Sequence, residues 1–125
     1  MTHLEGDKEL LNLQDAGKKL NYAYIKWEDI DTRRNFINNE LYKIEGIVWT
    51  AKKKLNEITS ITDILYISLK QEYDNILKSY KIMLENFKLI TEKLNNANIE
   101  YMIAKNNFDE AEIVCDKIAA HNINA

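Results

Sequence analysis

The chain has 125 residues, 46% of them apolar and 30% charged, with no proline, three glycines and one cysteine. That composition suits one domain with a real apolar interface, and the shortage of turn residues excludes a β-rich fold, which needs frequent punctuation. A net charge of −3 with no clustered basic face argues against nucleic acid as a partner, because phosphate neutralisation needs lysines and arginines on one surface.

The lone Cys115 excludes an intramolecular disulfide framework. No apolar run approaches the ~20 residues that span a bilayer, and Met1 to Glu9 carries no hydrophobic segment of the kind a signal peptide needs. A soluble, cytoplasmic protein is expected.

In chain order, Thr2-His3-Leu4-Glu5 has the spacing of a capping box. Asp7 is the competing N-cap and the favoured one, since Gly6 weakens a first turn. A first helix is predicted over about 7–58. Its apolar seam steps by three and four through Leu13, Ala16, Leu20, Ala23, Trp27, Ile30, Arg34, Ile37, Leu41, Ile44, Val48, Ala51, Leu55 and Ile58. Gly17 and Gly46 lie inside it at a cost of about 1 kcal/mol each relative to alanine, which packing can override. Interruption is conceivable at Asp29-Ile30-Asp31-Thr32, which offers N-cap chemistry, or at Asn38-Asn39.

Thr59-Ser60-Ile61-Thr62-Asp63 gathers residues that hydrogen-bond their own backbone. A turn is predicted near 59–63. The apolar phase also slips here if Leu65 and Leu69 precede Tyr73 in the seam. A second helix is predicted over about 62–120, with about seven heptads of regular seam. Its a positions are Tyr73, Tyr80, Phe87, Leu94, Tyr101, Phe108 and Cys115; its d positions are Ile76, Met83, Ile90, Ala97, Ala104, Ala111 and Ile118.

Aromatic a positions with alanine d positions suit antiparallel packing better than a parallel two-stranded coil. The fold class is therefore all-α, a long antiparallel helical hairpin. Folding about Ser60 brings Val48 near Tyr73, Leu41 near Tyr80, Trp27 near Leu94 or Ala97, Leu20 near Tyr101 and Leu13 near Phe108. Arms of about 50 residues give a length of roughly 75–85 Å.

One seam leaves many apolar residues unused: Tyr22, Tyr24, Ile25, Phe36, Tyr42, Ile47 and Trp49 on the first helix, and Leu77, Ile82, Leu84, Leu89, Ile99, Met102, Ile103 and Ile113 on the second. A contiguous exposed apolar patch usually marks an interface. Either two hairpins form a four-helix bundle, or the first arm breaks near Asp31 and makes a three-helix bundle. The residues expected to carry association are Tyr73, Ile76, Tyr80, Met83, Phe87, Ile90, Leu94, Tyr101 and Phe108 in the seam, with Ile82, Leu89, Ile99 and Ile103 as a second face.

Lys52-Lys53-Lys54 could meet an acidic partner or an anionic surface, although consecutive residues point around a helix rather than along it. Asp109, Glu110, Glu112 and Asp116 oppose the dipole of the second helix and could face Lys18 and Lys19. His3, His121 and Cys115 match no metal-ligand spacing. The Glu-x-x-His pairs of di-iron bundles are absent from the sequence. Cys115 reads as a small buried hydrophobe, and Arg34 as a register-setting residue or a stem buried below a solvated head. No cofactor, metal or small-molecule substrate is expected, and no convergent acid–base residues point to an enzyme.

The periodicity resembles that of helical-hairpin, spectrin-like and bundle proteins in general. The expected function is protein–protein association, as a coiled-coil scaffold, adaptor or assembly subunit that pairs with itself as a homodimer or with another helical protein. A small helical secretion or assembly chaperone is the alternative. A membrane-surface module ranks behind both, given the net negative charge.

Overall fold

The structure, a computed structural model, describes residues 6–58 and 64–124. It holds two helices, α1 (Asp7–Asn56) and α2 (Ile64–Asn124), which run antiparallel as a hairpin. The expected turn at Thr59–Asp63 and the Thr2–Glu5 capping box lie outside the described residues. α1 passes through Asp31 and through Asn38-Asn39 without interruption, which overturns the three-helix alternative. Asn38 and Asn39 point outward while Ile37 and Leu41 keep the apolar seam covered, so nothing draws the chain out of the helix there.

α1 begins at Asp7, within the range read from the sequence, but its N-cap is Gly6 rather than Asp7. Leu10 N–H donates to the Gly6 carbonyl at 2.8 Å, which makes Gly6 the cap and Asp7 the first helical residue. Asp7 and Glu9 then sit in the first turn, where negative charge is favoured by the helix dipole. Gly6 has φ +103°, and a Cβ there would lie 2.9 Å from Ile118 Cγ2. Glycine is required on both counts. Gly6→Ala should cost about 1–3 kcal/mol, read as a lowered denaturation midpoint at fixed protein concentration; an unchanged midpoint would mean that this cap is not held.

The chain divides into two units. In the first, Met1–Ile30 with Lys93–Ala125, the Cys115 thiol donates to the Glu9 carbonyl at 3.4 Å. Phe108 lies over Gly17, where a Cβ would meet its ring at 3.5 Å. Tyr101 stacks on Trp27 with ring centroids 6.4 Å apart and touches Tyr24 at 5.9 Å, and Lys26 pairs with Glu100 at 3.0 Å. In the second unit, Asp31–Glu92, Arg34 Nε donates to Thr91 Oγ1 at 3.3 Å and Tyr80 donates to Glu45 at 3.1 Å.

Within each unit the partner's number falls as the first rises, and the pairs centre on the 59–63 segment. The pairing nevertheless differs from the one expected: Phe108 meets Gly17 rather than Leu13, and Tyr101 meets Tyr24 and Trp27 rather than Leu20. The physical reason is side-chain volume. In the expected register an a residue faces an a residue, so Leu20 meets Tyr101 and Leu13 meets Phe108. In the observed one an a residue faces a d residue, so Ala23 falls opposite Tyr101 and Ala16 opposite Phe108, and of the two neighbours expected for Trp27, Leu94 and Ala97, the register sets Ala97 opposite it. Large side chains alternate with small ones across the seam, as close packing demands.

The seam positions read from Leu13 to Ile58 and from Tyr73 to Ile118 are all partly or fully covered. The phase slip before Tyr73 is corrected. Tyr66 and Leu69 are the half-buried positions, whereas Leu65 is exposed, so the steps of three and four continue through Tyr66 with no stutter.

Candidate interaction faces

Side-chain burial in this hairpin is confined to a narrow strip. Among the described residues only Ala23, Leu41 and Ala97 are buried. Tyr73, Ile76, Tyr80, Met83, Phe87, Ile90, Leu94, Tyr101 and Phe108 are half-buried on the side of α2 that meets α1. These residues are already engaged within the chain. Tyr80 reaches Glu45, whose acceptor carboxylate holds the phenol above its ordinary pKa by hydrogen bonding to the neutral form. Phe87 lies under the Arg34 guanidinium at 5.3 Å, a cation–π contact that keeps the one charged seam residue in place.

Outside the strip large apolar side chains are exposed on both helices. Twenty large apolar side chains are exposed among the described residues, including Ile82, Leu89, Ile99 and Ile103, together with Tyr22, Phe36, Tyr42, Ile47 and Trp49. The chain exposes 9759 Å² at a mass of 14.7 kDa, about 40% more than the roughly 7,000 Å² expected for a compact monomer of that mass.

In the second unit an open groove of about 400 Å³ runs between the helices, with Ala51, Leu69 and Ile76 on its floor and Ile47, Lys54 and Glu72 at its edges. The three consecutive lysines divide. Lys53 lies 5.4 Å from the Trp49 ring, Lys52 borders the same hollow, and Lys54 borders the groove. Lys53 and Lys54 occupy the last turn of α1, where positive charge is stabilised by the helix dipole.

The acidic cluster also has a local reading. α2 continues to Asn124, so Asp109, Glu110, Glu112 and Asp116 precede the last turn and the dipole scarcely acts on them. Lys19, considered as their partner, pairs with Asp15 on its own helix at 3.0 Å. Cys115 faces the N-terminal part of α1, as a hairpin requires. His121 is exposed, and His3 lies outside the described residues. No group of three His, Cys, Asp or Glu side chains able to hold a metal occurs among the described residues, and no described helix is long and apolar enough to cross a membrane. No protein-family model, curated protein or solved structure matches the chain.

Proposed function

We propose that this chain is a non-enzymatic helical module that works by protein–protein association, in the first place with a second copy of itself as a four-helix bundle. The observation that carries the reading is the set of twenty large apolar side chains left exposed among the described residues. Relative to a compact monomer the surplus of total accessible surface, polar and apolar together, is about 2,800 Å² per chain, and two chains together bring about twice that. Obligate dimer interfaces bury about 2,000–5,000 Å² in total, so a pair of hairpins has the area that a stable interface needs. A two-helix hairpin left alone would keep Phe36, Trp49, Ile82 and Leu89 in water, an arrangement that invites association.

Association that stabilises the fold makes thermal stability depend on concentration. The helical signal should melt at a temperature that rises by several degrees over a hundredfold increase in protein concentration. A melting temperature independent of concentration would contradict the reading.

A further inference from the structure

From Tyr73 to Glu92 the side chains of α2 sort into rows at steps of three and four. Tyr73, Ile76, Tyr80, Met83, Phe87 and Ile90 form the seam. All the charged residues of this stretch, Asp74, Lys78, Lys81, Glu85, Lys88 and Glu92, fall in one other row. The row made by Asn75, Ser79, Ile82, Asn86 and Leu89 has no charge at all. Burial within the chain does not account for this, because Ile82 is 64% and Leu89 53% exposed. Depletion of charge, more than apolar content, separates the centre of a protein interface from ordinary surface.

Glu72 precedes Asn75 by three residues and so bounds the uncharged stretch of this row, and it also borders the groove with Lys54 and Ile47. The row and the groove are thus one surface of the second unit. Phe36, Glu40, Lys43, Ile47, Thr50 and Lys54 follow the same side of α1 at steps of three and four, with Lys43 and Glu40 paired on it at 3.2 Å. Neither Lys54 nor Glu72 has an ion-pair partner among the described residues, although the two carry opposite charge on facing edges.

We propose that this face is closed by the same face of a second copy of the chain, related by a two-fold axis parallel to the helices. That symmetry sets α1 of one copy on α2 of the other and gives every helix antiparallel neighbours, as four-helix bundles prefer. An isologous contact repeats every pair twice. Phe36 of one copy packs on Leu89 of the other, and Lys54 meets Glu72 of the other. The inference rests on self-association as the chain's function and adds which face is used and in what orientation.

The test is sedimentation velocity on the full chain and its variants, with far-UV circular dichroism to verify helicity. Leu89→Glu should weaken the dimer by about 100-fold, because it places a charge in the dry centre, while Lys88→Glu, one residue away in the charged row, should change affinity by less than about threefold. Lys54→Glu and Glu72→Lys should each weaken self-association by about tenfold. Mixing those two variants should restore dimerisation, because each cross-copy pair is then opposite in charge while the contacts inside each chain stay repulsive. If Leu89→Glu fails to fold, this mixing experiment decides alone. Wild-type dimers with no recovery on mixing, or with Leu89→Glu as tight as wild type, overturn the face and leave self-association standing; a wild-type chain that is monomeric at every concentration overturns both.

Discussion

Leu41→Ala should lower stability by about 3 kcal/mol, within the 2–5 kcal/mol typical of leucine truncation in a core. Leu41 is the only large side chain among the three buried residues, at 7% exposure. The observed register sets it opposite Met83 in the second unit. Truncation removes three buried carbons and leaves a cavity that the two helices cannot close without moving their backbones. The neighbouring Tyr42, 74% exposed, supplies the contrast: Tyr42→Ala should stay within about 0.5 kcal/mol. Denaturant unfolding of both variants at one protein concentration measures the difference. Equal effects at the two positions would mean that the seam is misplaced.

The second large effect is expected from enlargement. Ala97→Leu should destabilise by about 1–3 kcal/mol, the usual result of overpacking, even though leucine is a good helix former. Ala97 is only 2% exposed and falls opposite Trp27, whose ring stacks on Tyr101. With so little of Ala97 exposed, added carbons must displace a neighbour, and the register makes that neighbour the Trp27 indole. Unfolding monitored by tryptophan fluorescence reads both the loss of stability and the displaced ring. A gain in stability would show that there is free space beside Trp27.

Much of this architecture was legible because coiled-coil packing writes itself into spacing. The steps from Leu13 to Ile58 and from Tyr73 to Ile118 found the covered side of each helix, and aromatic residues at a with alanine at d pointed to antiparallel pairing. Continuity at Asp31 was harder to read. Cap-forming residues advertise a helix start, but they yield when the apolar stripe runs on through Ile30, Arg34 and Ile37. Leu65 is the more hydrophobic of two neighbouring residues, yet counting back by sevens from Tyr73 reaches Tyr66.

Register was not legible from periodicity, since sliding one helix by about a turn preserves every step of three and four. Volume decides it. Only the a-to-d pairing sets Tyr101 against Ala23 and Phe108 against Ala16. The face proposed for association was present in the sequence in another form, as five successive row positions without charge. A search for apolar residues finds Ile82 and Leu89 but passes over Asn75, Ser79 and Asn86, which are informative for what they lack.

Sedimentation equilibrium over a wide concentration series tests the central claim most directly, because it reports particle mass without reference to any surface. Association as a pair of hairpins predicts a particle of twice the 14.7 kDa chain mass across the micromolar range. A particle of single-chain mass at every concentration, with helicity intact, would contradict it.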